Sequence, residues 1–246
     1  KVISKWGTGI DSIDTRATSM LGVRVYNTPN AFTDAVADTA LGYILCFARR
    51  LPWMDQDIRR GLWAKPDAVS LRECVLGVVG VGNIGKAVTR RALAFGMTTL
   101  GTDPIPPPAS FIAETGLRLV SLRTLLEEAD FVSLHCDLNP TSWRLIGRDE
   151  LALMRPSAYL INTARGPLID EPALIEALSE RRIAGAALDV FEVEPLPDLS
   201  PLRAMDRCLL APHNANSSLA ARRRVHESTI ANLFRGLRED GRSCKL

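Results

Sequence analysis

The sequence predicts an α/β fold in which a doubly wound parallel sheet carries helices on both faces. Short β-branched and aliphatic runs alternate with helical stretches along nearly the whole chain, as parallel strands and their crossovers do. Several of these runs, such as Val75-Leu-Gly-Val-Val79 and Phe131-Val-Ser-Leu134, are unbroken instead of alternating, which is how strands buried on both faces read. A length of 246 residues, 46% of them hydrophobic, supports either one large core or two smaller ones.

In chain order, Val2–Ser4 and residues 23–26 are short β-prone runs, with a helix expected between them over 12–21. Apolar periodicity predicts a long helix over 33–51 and another over 54–61, after which Gly61 and Pro66 interrupt the pattern. Strand Val75–Val79 runs into a glycine-rich turn and a helix over 84–95 with apolar Ile84, Ala87, Val88, Ala92 and Phe95 on one face. Strand Thr98–Thr102 is followed by Asp103-Pro-Ile-Pro-Pro-Pro108, whose proline density predicts a loop. Residues 117–120, Phe131–Leu134, 158–161, 184–188 and Cys208–Leu210 complete the strands. Helices are expected over Leu122–Glu128, 148–154, 172–179 and 217–237, the third opened by Asp170 and Glu171 ahead of a first-turn Pro172.

Composition excludes several function classes. Thirty Lys and Arg against 28 Asp and Glu leave a formal +2, too balanced for the broad positive field that nucleic acid or an anionic membrane requires. The most apolar windows, 40–48 and 74–82, fall far short of the roughly 18 residues of a membrane span. Five cysteines, odd in number and without a C-x-x-C pair, suggest neither a disulfide framework nor a zinc site. A reducing cytoplasm and no metal are therefore expected.

The strand-glycine-helix unit carries the first functional signal. Gly80-Val-Gly82-Asn-Ile-Gly85 follows a buried strand and opens a helix, the full context of a dinucleotide-binding turn. Gly80 permits the tight turn, Gly82 lets a pyrophosphate approach the backbone, and Gly85 lets the helix pack closely on the sheet. The helix N-terminus offers free N–H groups and a positive dipole to the anion. Asp103 closes the next strand about 20 residues on, where an acid accepts the adenosine ribose hydroxyls and repels a 2′-phosphate. A Rossmann-type domain that binds NAD in preference to NADP follows.

Three further segments stand at strand ends, where open α/β sheets hold ligands. They are Ile161-Asn-Thr-Ala-Arg-Gly-Pro-Leu-Ile-Asp170, Ala187-Leu-Asp-Val-Phe-Glu-Val-Glu-Pro195 and Leu210-Ala-Pro-His-Asn-Ala-Asn-Ser-Ser218. With Gly80 to Gly85, Lys5-Trp-Gly-Thr-Gly-Ile-Asp-Ser-Ile-Asp14 and Asn27-Thr-Pro29, these strings resemble the D-isomer-specific 2-hydroxyacid dehydrogenases, nearest the phosphoglycerate dehydrogenase-like branch. The resemblance covers nearly the whole chain.

It implies hydride transfer between NAD(H) and a small D-2-hydroxy acid or its 2-keto acid, with 3-phosphoglycerate among the acids it suggests. That chemistry needs a cation for the carboxylate and keto oxygens, which suits the guanidinium fork of Arg165. It also needs a proton donor and acceptor, which suits the imidazole of His213. The acid paired with His213 is, by resemblance, Glu194; Glu192 competes, but the family's acid directly precedes the proline.

Other contacts are implied in the same way. Asn83 and Ile84 lie against the pyrophosphate, Cys136 against the adenosine half, and Thr163, Ala164 and Asp189 near the nicotinamide. Thr8 reaches the cofactor from the other lobe, while backbone N–H groups around Trp6 and Gly7 help to hold the substrate carboxylate. His135 and His226 read as structural. Asn214-Ala-Asn216 and Cys136-Asp137 depart from the family pattern beside the cofactor.

The resemblance also implies the domain plan: residues 1–50 as the remaining part of a flavodoxin-like substrate lobe with its crossover helix, and 51–216 as the NAD-binding domain. A C-terminal helix over 217–246 is expected to return to the first lobe. Leu51, Trp53, Met54, Leu62 and Trp63 suggest an apolar arm over 51–63 that makes a homodimer. The alternative is a non-catalytic NAD(H)-sensing or protein-binding module of the same fold, which would need the glycines and Asp103 but no acid/base pair.

Overall fold

A computed structural model describes residues 1–239. Cys244 and the end of the helix expected over 217–246 lie outside the described residues. The chain opens with β1 (Val2–Ser4), α1 (Thr15–Met20) and β2 (Arg24–Tyr26), followed by helices α2 (Thr33–Arg49) and α3 (Leu51–Arg59). Strands and helices then alternate as β3 (Val75–Val79), α4 (Asn83–Ala94), β4 (Thr98–Thr102), α5 (Ala109–Thr115), β5 (Arg118–Leu119), α6 (Leu122–Glu128) and β6 (Phe131–Leu134). After these come α7 (Arg148–Leu153), β7 (Tyr159–Asn162), α8 (Glu171–Ser179), β8 (Gly185–Leu188), β9 (Cys208–Leu210) and α9 (Leu219–Glu239). No helix among the described residues is long and apolar enough to cross a membrane.

The chain forms two compact units, Lys1–Ala35 with the chain from Asn216 onward, and Val36–Ala215. In the first, β1 and β2 pair in parallel and α9 lies against them. The approach is close because Gly236 has no side chain: a Cβ there would stand 2.4 Å from Val2 Cγ2.

The second unit is a seven-stranded parallel sheet in the order β5-β4-β3-β6-β7-β8-β9. The order reverses between β3 and β6, so their C-terminal ends flank the crevice where such sheets bind ligands. One face packs Leu134, Leu160 and Leu188 with α6, α7 and α8; the other packs Leu76, Val78, Phe131 and Ile161 under α2 and α4. Residues 131, 159 and 161 point to one face and 132, 134 and 160 to the other, the period-2 alternation of a strand. Both faces are apolar, which explains the unbroken runs.

Three elements differ from the sequence reading. The helix expected over 33–51 ends at Arg49, Arg50 adopts a left-handed φ of +55°, and α3 begins at Leu51. Pro52 is the cause, since it cannot donate one turn back yet fits a first helical turn. Helix α5, to which the sequence reading assigned no element, forms because the prolines end at its N-cap, Pro108; Phe111 is then buried, and Gly116 closes the helix at φ +66°. The break between the units falls inside α2 and not near residue 50, because Ala37, Ala40, Leu41, Ile44 and Phe47 belong to the core of the sheet.

Candidate active site

The glycine turn is shaped by close backbone contacts. Gly80 adopts φ +91°, and a Cβ on it would stand 2.5 Å from the Cys136 amide nitrogen. A Cβ on Gly85 would stand 2.0 Å from the Gly80 carbonyl oxygen, so α4 can start against the turn only with glycine there. Gly82 is different: nothing lies within 4 Å of its missing Cβ. That space opens at the N-terminus of α4, where the capping residue has no side chain to engage the first N–H groups. The cradle therefore fits a dinucleotide pyrophosphate.

Asp103 ends β4 beside this cradle. Its Oδ2 accepts the Val81 N–H at 2.7 Å and its Oδ1 the Ile105 N–H at 2.8 Å. Each oxygen keeps a lone pair that can receive a ribose hydroxyl. Asp103 thus fixes the glycine turn as well as presenting an acid, a role the sequence did not reveal. Cys136 is half-buried next to Gly80, and burial first, then nearby acids, pushes its thiol up to about 11.

At the other strand ends the chain organises a second cluster. Asn162, buried at the end of β7, donates from Nδ2 to the Arg165 carbonyl at 2.8 Å and accepts the Ala164 N–H on Oδ1 at 3.0 Å. The Arg165 turn is thereby held by a side chain of its own strand. The guanidinium of Arg165 is half-buried, with Nη1 donating to the Ala164 carbonyl at 2.7 Å. Thr163 is buried and its Oγ1 has no hydrogen-bond partner.

Asp189, at the end of β8, is 1% exposed. Its Oδ1 and Oδ2 accept the N–H groups of Asn214 and Ala215, both at 2.8 Å, and its carbonyl accepts the His213 N–H at 2.7 Å. This clasp sets His213 at a φ of +51°. Burial raises the Asp189 carboxyl above the usual carboxylate range, with the two backbone donors acting against it.

The imidazole of His213 is exposed, and its Nδ1 lies 2.8 Å from Glu194 Oε2. Glu194 Oε1 accepts the Phe191 N–H at 3.1 Å, so the carboxylate is anchored by its own loop. With Nδ1 engaged, Nε2 is the ring nitrogen that Glu194 leaves available. Glu192 does not share this geometry; its Oε1 accepts the Glu171 N–H at 3.4 Å and faces Arg144 at 3.3 Å.

Trp6, Gly7 and Thr8 belong to the first unit, at the end of β1. The Gly7 N–H donates to Thr28 Oγ1 at 3.2 Å and Thr8 Oγ1 to the Thr28 carbonyl at 3.2 Å. Trp6 donates from Nε1 to His226 Nδ1 at 3.3 Å. His135 lies at the end of β6, with Nε2 on the Ser133 hydroxyl at 2.8 Å.

Comparison with known proteins supports the fold and a nicotinamide dinucleotide cofactor. The family model for the D-isomer specific 2-hydroxyacid dehydrogenase NAD binding domain matches residues 41–215. A glyoxylate reductase of Korarchaeum cryptofilum is 41% identical over 240 residues, covering 95% of this chain and 72% of that protein. A D-3-phosphoglycerate dehydrogenase of Methanocaldococcus jannaschii is 42% identical over 227 residues, covering 91% of this chain and 43% of that protein. The crystal structure of a D-lactate dehydrogenase from Aquifex aeolicus, complexed with NAD and lactic acid, superposes with a TM-score of 0.90 at 29% identity, covering 98% of this chain and 77% of that one. With the glycine cradle at the sheet's switch point, these matches place the chain in the D-isomer specific 2-hydroxyacid dehydrogenase family, as an oxidoreductase that uses a nicotinamide dinucleotide.

Proposed function

We propose that this chain interconverts a small 2-keto acid and its D-2-hydroxy acid with NAD(H), with Arg165, Glu194 and His213 as the reacting machinery. The observation that carries the proposal is the Glu194–His213 pair at 2.8 Å, held by the Asp189 clasp past the C-terminal ends of the same parallel sheet whose β3–α4 turn forms the cradle. When bound, the nicotinamide supplies or accepts the hydride at substrate C2. Arg165 holds the substrate carboxylate and polarises the keto oxygen through its planar fork. His213 Nε2 donates the proton that the developing alkoxide takes up, and in the reverse direction removes it. Glu194 fixes the tautomer by accepting the Nδ1 proton, which leaves Nε2 directed at the substrate.

NAD is preferred over NADP, because an acid at the end of β4 accepts ribose hydroxyls and repels a 2′-phosphate. Two-carbon and three-carbon 2-keto acids such as glyoxylate head the substrate list, given the relative named glyoxylate reductase. A homodimer in the cytoplasm completes the reading, with the exposed Leu51, Leu62 and Trp63 on the surface that the partner covers. A sensing module has no use for an oriented imidazole.

The test is NADH oxidation with a panel of glyoxylate, pyruvate, hydroxypyruvate and its 3-phosphate. His213→Ala should lose about 100-fold to 10,000-fold in kcat, with NADH affinity within about twofold of wild type. Retained turnover in His213→Ala, or NADH binding without reduction of any panel member, would refute the proposal.

A further inference from the structure

We propose that Arg144 is a positioning residue that ties the turn carrying Arg165 to the loop carrying Glu194. The inference rests on the roles proposed above for those two residues. Arg144 lies in the segment between β6 and α7, away from both strand ends in sequence, and adopts φ +49°. A long side chain in the left-handed region is strained and persists where surrounding contacts hold it.

The contacts that hold Arg144 are these. Its backbone N–H donates to the Pro167 carbonyl at 2.8 Å. Nη1 donates to Asp170 Oδ2 at 3.0 Å and Nη2 stands 3.3 Å from Glu192 Oε1. One guanidinium fork thus grips both the segment that follows Arg165 and the loop that leads to Glu194.

The two segments also interlock with each other. Glu192 N–H donates to Glu171 Oε2 at 3.1 Å, and Glu171 N–H to Glu192 Oε1 at 3.4 Å. Gly166, next to Arg165, packs so tightly that a Cβ on it would fall 1.9 Å from the Phe191 carbonyl oxygen. Phe191 in turn donates its N–H to Glu194. Arg144 stands between two acids, Asp170 and Glu192, one on each side of the seam. Without Arg144 they repel across the seam, and the segments bearing Arg165 and Glu194 lose their common register. The fork geometry matters, since a point charge cannot meet both acids in plane.

The test uses the full chain with Arg144→Ala and, should that variant fold poorly, Arg144→Gln, which keeps most of the stem. Three readouts are taken: kcat on the 2-keto acid panel, NADH affinity by fluorescence, and the proton resonance of the His213 Nδ1–H in the absence of substrate. We expect kcat to fall about tenfold or more, NADH affinity to stay within about twofold, and the His213 resonance to broaden. Arg148→Ala, which removes an ion pair between α7 and α8 without touching either loop, should leave all three unchanged. A wild-type kcat in both Arg144 variants, or a lower kcat with an unchanged His213 resonance, overturns the inference. If wild type reduces no 2-keto acid, the proposed reaction fails, and the His213 resonance alone still decides whether Arg144 positions the pair.

Discussion

His135 shows how far a side chain can be shifted by its surroundings. Its Nδ1 is buried without a hydrogen-bond partner, and burial pushes the imidazole down to about 3. The unfolded chain protonates the same ring near 6.5. The folded state therefore binds fewer protons between those values, so the stability present above about pH 6.5 is lost as pH falls toward about 3. Urea unfolding between about pH 7 and pH 4 should show a loss of stability that is shallower, by up to one proton, in His135→Gln than in wild type. Equal slopes would remove His135 from the acid response. The thiols behave in the opposite sense: burial raises Cys74, Cys136 and Cys208 to about 11 each. Alkylation near neutral pH should spare these three until the chain unfolds, and fast labelling of Cys136 in the folded chain would contradict its burial.

Among elements, the turn from β3 into α4 separates folding from binding within six residues. Gly85→Ala places a methyl on the Gly80 carbonyl and should cost stability. Gly82→Ala meets nothing within 4 Å, and its φ of −72° suits alanine. It should melt within a few degrees of wild type while NADH affinity drops about tenfold, because the methyl fills the space that a pyrophosphate needs. Unchanged affinity would place the pyrophosphate elsewhere. In α8, the Asp170 side chain accepts the Ala173 N–H at 3.2 Å and also pairs with Arg144. Asp170→Ala should lower stability by about 1 kcal/mol for the lost cap, measured by chemical denaturation.

For the whole molecule, sequence pattern and tertiary structure divide the explanation. Strands such as Val75–Val79 and Phe131–Leu134 were legible because burial on both faces writes an unbroken apolar run. Trp53, expected in the apolar arm, is half-buried; it stacks on Phe47 at 5.6 Å and donates to the Asp206 carbonyl at 2.8 Å, which leaves Leu51, Ile58, Leu62 and Trp63 exposed, the last two adjacent in sequence. The proposed dimer is accordingly sensitive to those two. Leu62→Asp combined with Trp63→Arg should sediment as a monomer while wild type sediments as a dimer, and a monomeric wild type would dispose of the arm.

By itself the sequence determined the parallel α/β architecture and the glycine cradle, and put forward the acid, base and arginine of the proposed chemistry. Each is written in local patterns: a run of apolar residues, three glycines at fixed spacing, a charged residue just past a strand. Only the tertiary structure decided how those residues are held. Asp189 meets the amides of Asn214 and Ala215, Asp103 meets Val81, and Arg144 spans two acids, across separations of more than 20 residues. Such partners share no local pattern, because they become neighbours only when parallel strands align their C-terminal ends in one sheet.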